Sequence, residues 1–273
     1  MKLALIQMVS SHILAGNLAE ADRLLQNAAR EGAELAVLPE YFCMMGQHDR
    51  DKLLIAEDFG DGPMQSFLAE RARTLGLWLV AGTVPLCTAT KDRVFNSSLA
   101  FRPDGECIAR YDKIHLFRFD NGTESYDEAR VLKRGEHPVH FDLPSRDGHT
   151  WRIGLSVCYD LRFPELYRAY AKQGADLLLV PSAFTHTTGQ AHWEVLLRAR
   201  AIENLAFVAA AAQGGEHSNG RRTWGQSMVV GPWGDVMVQC PTGPAVVSAE
   251  LLPECLPQRR RQLPALQHRV LDC

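Results

Sequence analysis

Cys158 stands where a strand-like run over residues 151–158 gives way to a helix-like run beginning at Arg162. A sharp strand-to-helix turn lifts a side chain out of a sheet and aims backbone N–H groups and the positive end of a helix dipole at it. A thiol held this way is expected to ionise more readily than free cysteine, whose pKa is ~8.5. A thiol nucleophile also needs a base for its proton and donors for an oxyanion. Glu40 ends the apolar run 36–39, at the carboxyl edge where α/β proteins place their sites. Pro39 fixes the backbone before it, and Tyr41 and Phe42 can wall off water behind it, which suits a general base. A strand-end glutamate serves equally well as a cap or an ion-pair partner. Lys113 closes the run 107–113 and precedes Ile114-His115-Leu116-Phe117. Among such neighbours a lysine can act as a fixed cation, although a snorkelling stem at a strand end is the plainer reading.

Alternating elements must position these groups. Residues 2–9 read as a strand. Asn17 and Glu20 read as an N-cap and N3 pair opening a helix that Gly32 ends. Residues 33–39 form a second strand, Gly62-Pro63 opens a helix that stops at Leu75-Gly76, and 77–84 is a third strand. Residues 94–102 and 106–112 flank Pro103-Asp104-Gly105 as a hairpin, and 118–137 is a polar loop. Strand 151–158, helix 162–173, strand 175–181, helix 190–204 and strand 206–213 follow. The last third holds strands over 227–231, 235–239 and 245–250 between Gly/Pro turns. Strands alternating with helices predict an α/β protein, and the hairpins predict mixed sheets. So many apolar strands in 273 residues imply a four-layer α-β-β-α sandwich, two mixed sheets flanked by helices. No linker or repeat divides the chain, so 1–273 is read as a single domain.

The formal net charge is -3, which gives no general pull toward nucleic acid, and the run Arg259-Arg260-Arg261 is an isolated triplet. Seven cysteines are scattered without a ligand spacing, which predicts no metal site and reduced thiols in a cytoplasmic protein. The chain opens directly into a strand without a signal peptide, and no apolar run approaches the ~20 residues of a membrane span.

Three segments carry a resemblance: Leu38-Pro39-Glu40, residues 111–117 and residues 157–165. In this order they resemble the signature segments of the nitrilase superfamily of carbon-nitrogen hydrolases, and the similarity runs over nearly the whole chain. The resemblance implies a Glu40–Lys113–Cys158 catalytic triad and a second glutamate in the loop after the lysine. Glu128, seven residues before Gly135, matches that position, and Glu124 reads as a solvated loop charge. It implies attack by Cys158 on an amide carbonyl. Glu40 would serve as base, and Lys113 with the Tyr159 N–H would hold the oxyanion. Ammonia would leave, and a thioester would be hydrolysed to the acid. No metal or organic cofactor is required.

Residues 188–203 most resemble the deaminated glutathione amidase branch, with the omega-amidases that take 2-oxoglutaramate or 2-oxosuccinamate next. Another nitrilase-type activity, or a binding protein that kept the fold, are the alternatives; the intact triad argues against the last. Tyr159, Arg162, Ser182, Phe184 and Thr185 are the expected substrate-binding residues. Arg198 and the Arg221-Arg222 pair are further candidates for a substrate carboxylate. Two departures from the branch are Gln226 in place of histidine and Gly231 in place of aspartate, the latter expected to loosen a turn. The resemblance also implies a homodimer or larger homo-oligomer built by extending the sandwich across subunits, and a small-molecule amide as partner.

Overall fold

In a computed structural model of the chain, which describes residues 1–271, two mixed sheets stack face to face. Cys273 lies outside the described residues. The first half runs β1 (Lys2–Gln7), α1 (Leu14–Arg30), β2 (Leu35–Val37), α2 (Asp51–Leu54), α3 (Pro63–Leu75), β3 (Trp78–Val80) and β4 (Val84–Cys87). It ends with the hairpin β5 (Val94–Phe101) and β6 (Cys107–Asp112). β1, β2 and β3 are parallel neighbours and are apolar on both faces, as expected for a parallel sheet covered on both sides. Ala21, Leu24, Leu25 and Ala28 recur on one stripe of α1, and Met64, Leu68 and Ala72 on one stripe of α3. Both stripes cover Ala4, Ile6, Ala36 and Leu79 on the outer face of this sheet.

The middle of the chain forms the small hairpin β7 (Arg118–Asp120) and β8 (Ser125–Asp127), a 3-10 turn at Glu128–Arg130, and β9 (Leu132–Lys133). The second sheet is built from β10 (His140–Pro144), β11 (Thr150–Leu155), α4 (Pro164–Lys172), β12 (Leu177–Leu179), α5 (His186–Asn204) and β13 (Phe207–Ala210). A hairpin of β14 (Gly214–Glu216) and β15 (Arg222–Trp224) projects from it, and β16 (Met228–Val230) and β17 (Val236–Gln239) complete it. β18 (Ala245–Glu250) returns antiparallel to β1, with Lys2 opposite Glu250, and α6 (Cys255–Gln262) closes the chain. The two-residue period of a strand sorts the layers. Leu5, Val37 and Val80 face inward from the first sheet, toward Leu155, Leu179 and Ala209 of the second. Gly154, one residue away, faces α4: a Cβ there would lie 2.8 Å from the Tyr170 ring. The α-β-β-α order expected from the sequence is therefore the observed one.

Several local expectations are corrected. Asn17 does not cap α1, which starts three residues earlier. Its buried amide binds both backbone groups of Ser11 and the Cys43 carbonyl, each at 2.8 Å, tying two loops together. The strand expected over 77–84 is two strands, β3 and β4, broken at Gly82 (φ 60). A Cβ on Gly82 would lie 2.0 Å from the Pro39 carbonyl oxygen, so only glycine lets the loop after β2 pass there. The loop expected over 118–137 holds β7, β8 and β9. β10 and the β14–β15 hairpin had no strand signal strong enough to be read. Gly231 does not loosen its turn. The turn is closed by Gly231 N–H to the Asp235 carbonyl (2.8 Å) and Gly234 N–H to the Gly231 carbonyl (2.9 Å), and a Cβ would strike the Asp235 carboxylate.

Gly82→Ala should cost roughly 2–4 kcal/mol, from the left-handed backbone and the forced contact, and should lower activity because Pro39 precedes Glu40. Gly76→Ala is the control: Gly76 is also left-handed (φ 64) but has no atom within 4 Å of the new Cβ. It should cost only about 1 kcal/mol and leave the rate intact. Urea midpoints and kcat/KM measure both, and equal behaviour of the two variants would show that the Pro39 contact is unimportant.

Candidate active site

Three strand ends converge. Glu40 follows β2 and Pro39, and the chain then bends through Tyr41 at φ 57. That costly conformation is held by Thr83, whose Oγ1 accepts the Tyr41 N–H at 2.9 Å, and by Gln213, whose Nε2 donates to the Glu40 carbonyl at 3.1 Å. Lys113 follows β6. Its N–H donates to the Asn96 carbonyl (3.0 Å), and its carbonyl accepts the Gly135 N–H (2.8 Å). A Cβ on Gly135 would lie 2.0 Å from the Asp112 carbonyl oxygen, so the loop carrying Glu128 returns this closely only because residue 135 has no side chain. Cys158 follows β11 in the second sheet, also with positive φ (49), and its N–H donates to the Pro181 carbonyl at 3.0 Å.

The Lys113 ammonium is buried between two carboxylates. Nζ lies 2.9 Å from Glu40 Oε1 and 2.8 and 3.0 Å from the two oxygens of Glu128. Asn96 Nδ2 donates to Glu40 Oε1 (2.9 Å) and the Ala183 N–H to Oε2 (2.8 Å). The Tyr41 hydroxyl (3.0 Å) and the Phe117 N–H (2.7 Å) donate to Glu128. Burial works against the charge on Lys113, but Glu128 and Glu40 outweigh it and hold its pKa above the usual lysine range. Burial likewise opposes the Glu128 carboxylate, and Lys113 with the Phe117 N–H outweighs it, leaving Glu128 ionised below its usual range.

Cys158 behaves oppositely to the expectation from its turn. Burial first, then the Glu40 charge, push its thiol well above the usual cysteine value, against the pull of Lys113. Nor does the sulfur stand at the start of a long helix: Cys158–Arg162 is a short 3-10 turn, and α4 begins only at Pro164. The resting thiol is therefore protonated, and attack requires a base within the site.

Glu40, Glu128 and Cys158 open onto a cavity with about 280 Å³ of atom-free space. Phe117, Tyr159 and Phe184 form its apolar wall, and Arg162 and Arg221 its cationic one. Lys113 bridges Glu40 and Glu128, both of which line this cavity. Tyr159 is set edge-on between Phe117 and Phe163, at 5.1 and 5.3 Å. Arg162 packs over Tyr159 and Phe184 and touches His192 (3.2 Å), with no carboxylate partner among the described residues. Thr185 lines the cavity, yet its hydroxyl caps α5 by pairing with Thr188. Ser182 does not reach the cavity: it is fully buried and its hydroxyl donates to the Val180 carbonyl. Arg198 is spent on Glu194 and the Gly234 carbonyl, and Arg222 is exposed on the β14–β15 hairpin. Glu124 is half-buried, accepts the Thr187 hydroxyl at 2.8 Å and takes no part in the Lys113 cluster. Gln226 has positive φ (58), and its carbonyl accepts the Trp193 indole N–H at 2.8 Å.

Asp160 was missed. Its buried carboxylate accepts the Tyr111 hydroxyl (2.7 Å), the Val157 N–H (2.8 Å) and the His115 N–H (3.0 Å), and meets His115 Nδ1 at 2.7 Å. It thereby clamps the segment on both sides of Lys113 to the turn that carries Cys158. The signal was available, because Asp160, Tyr111 and His115 all lie inside the quoted segments. Asn96, Thr83 and Gln213 had no comparable signal. Among the described residues no cluster of His, Cys, Asp and Glu could hold a metal ion.

A buried thiol beside a carboxylate–lysine–carboxylate cluster at the edges of an α-β-β-α sandwich defines a cysteine hydrolase of carbon–nitrogen bonds. The chain belongs to the carbon-nitrogen hydrolase family, whose model matches residues 2–260. It is 40% identical to the deaminated glutathione amidase of Synechocystis, over 98% of this chain and 97% of that protein. It is 35% identical to the omega-amidase NIT2 of Homo sapiens, over 99% and 95%. The NitFhit protein of C. elegans superposes with a TM-score of 0.90 at 36% identity, covering 98% of this chain; the chain spans 65% of that longer protein. The protein is an amide hydrolase of the nitrilase superfamily.

Asp160→Asn should leave at least one buried donor facing the new amide N–H groups, costing about 1–3 kcal/mol. Both the urea midpoint and kcat/KM should fall, since the Lys113 and Cys158 segments lose their tie. An unchanged rate would show that the clamp does not position the site.

Proposed function

We propose that Cys158 is the nucleophile, Glu40 its base, Lys113 the fixed cation and Glu128 the residue that holds Lys113 in place, all within one catalytic domain over 1–273. The observation that carries this reading is the Lys113 ammonium gripped by Glu40 and Glu128 beside a buried thiol on the same cavity. When an amide enters, Glu40 takes the thiol proton and Sγ bonds to the carbonyl carbon. Lys113 and the Tyr159 N–H hold the oxyanion; such a donor is worth ~10²–10³ in rate. The C–N bond breaks as Glu40 returns the proton to nitrogen, leaving a thioester. A water then loses a proton to Glu40, attacks the thioester and restores the thiol. None of these steps calls for a metal or an organic cofactor.

The substrate we propose is deaminated glutathione, which the 40% identity to that amidase supports over the 35% to the omega-amidase. The amide bonds of glutathione are secondary, so here the leaving group is an amine, and ammonia leaves only from primary amides such as 2-oxoglutaramate. Arg162, which lines the cavity without a carboxylate partner among the described residues, suits the carboxylate of the short acyl half common to both. Cys158→Ala should abolish hydrolysis. Glu40→Gln should slow it by ~10²–10⁴. The same change should quicken alkylation of Cys158 by iodoacetamide near neutral pH, because the charge that raises the thiol pKa is removed while Lys113 remains. Slower alkylation in Glu40→Gln would remove Glu40 as the group that keeps the thiol protonated.

Assembly into a homodimer or larger homo-oligomer belongs to the same proposal. Val195 and Ile202 stand exposed seven residues apart on α5, and Trp233 and Leu252 are exposed beside the turn that Ile202 packs against. Introducing Ile202→Glu with Trp233→Glu should shift the sedimenting mass toward the 30.4 kDa of one chain, and an unaltered multimer would place the interface elsewhere. No helix among the described residues is long and apolar enough to cross a membrane. The free cysteines support placing the protein in the cytoplasm.

A further inference from the structure

Beside the inner cavity lies a wider polar chamber, open to solvent, with about 1230 Å³ of atom-free space. Residues 44–49, α2, the turn between β7 and β8, and the tip of the β14–β15 hairpin make its walls. Arg221 lines both spaces, and Lys52 of α2 lines the chamber. Arg221 is well braced. Its guanidinium stacks on Tyr126 (4.9 Å), its backbone N–H donates to Asn219 Oδ1 (2.9 Å), and Asn219 Nδ2 donates to the Gly46 carbonyl (2.6 Å). Yet its donors are poorly used. Nε is buried without a partner, Nη1 reaches only the Met45 sulfur at 4.0 Å, and Nη2 is 3.4 Å from the Ala183 carbonyl.

Many partly buried arginines are neutralised: Arg71, Arg110, Arg168, Arg200 and Arg260 each pair with an aspartate or glutamate, whereas Arg162, Arg259 and Arg269 do not among the described residues. Arg221 has no such partner among the described residues. Lys52 lies over the Tyr41 ring (4.8 Å), also without an ion pair within 4.0 Å among the described residues. Burial and the Arg221 charge press its pKa down, against Asp49 and Glu128. Arg221 and Lys52 share the chamber with Arg222 and with the carboxylates of Asp49 and Glu124, the latter already held by the Thr187 hydroxyl, and a fixed guanidinium fork with free donors matches an incoming carboxylate.

We propose that Arg221 and Lys52 form a carboxylate site for the amine half of the substrate, making this enzyme selective for amides of an amino acid or short peptide. This deepens the amidase reading above and rests on it. The acyl half and its own carboxylate face Arg162 in the inner cavity, with the scissile amide at Cys158 and the amine half directed past Arg221. The leaving amine, still anionic at its far end, then departs through the chamber.

The test uses the full chain and three compounds: deaminated glutathione, the same molecule with its glycine carboxylate converted to a carboxamide, and 2-oxoglutaramate. The unaltered protein should show kcat/KM about tenfold or more higher for the acid than for its carboxamide, the scale of one charge-assisted hydrogen bond. Arg221→Gln and Lys52→Gln should each shrink that ratio toward one, and added salt should shrink it in the unaltered protein. Should Arg221→Gln fail to fold, Lys52→Gln on the short helix α2 and the substrate pair itself still decide the matter. Equal kcat/KM for acid and carboxamide, or a ratio that survives both substitutions, overturns this inference alone. Failure to hydrolyse any of the three compounds overturns the amidase reading and this inference with it.

Discussion

One buried ammonium sets the terms for the rest of the molecule. A lysine with no exposed side-chain surface is tolerable only if opposite charges and hydrogen bonds meet it from every side. Glu40 and Glu128 supply the charges, and both carboxylates then need donors for their remaining lone pairs. Asn96, the Ala183 N–H, the Tyr41 hydroxyl and the Phe117 N–H complete that list. Meeting those demands pulls β2, β6, the 128–135 loop and the segment after β12 to one point. The close backbone approaches at Gly82 and Gly135, and the strained Tyr41 and Cys158, are consequences of that convergence.

The same cluster explains how a thiol with a raised pKa suits catalysis. With two carboxylates around one lysine, the local charge is net negative, and a resting thiolate would add to it. Burial and the Glu40 charge favour the neutral sulfur, so in the mechanism proposed above its reactivity is supplied by a neighbouring base rather than by a helix terminus.

Much of this was legible in the residue order, unevenly. The apolar runs of β1, β2 and β11 are encoded locally, because strand periodicity marks which side chains leave water. Glu40, Lys113 and Cys158 stood out as polar groups closing such runs. Asn17 was misread because its amide found partners on two loops, which no local cap pattern reveals. Ser182 looked like pocket lining from its place after a strand, but its hydroxyl turns back to Val180. The arginines could not be ranked from sequence, since ranking depends on which already hold a carboxylate. Arg198 does, whereas Arg162 and Arg221 do not.

By itself, the sequence determined most of the longer strands and helices and the layered α/β architecture, which follow from short-range patterns of burial and backbone preference, while Glu40, Lys113 and Cys158 were singled out together by the resemblance of their segments. Only the tertiary structure decided that the ammonium sits between Glu40 and Glu128, that burial and Glu40 raise the thiol pKa, that Asp160 clamps two signature segments, and that Arg221 faces a chamber without a carboxylate partner among the described residues. Each of these depends on distances between residues far apart in the chain. Electrostatic interactions vary with distance and burial, and neither is written in the local order of residues.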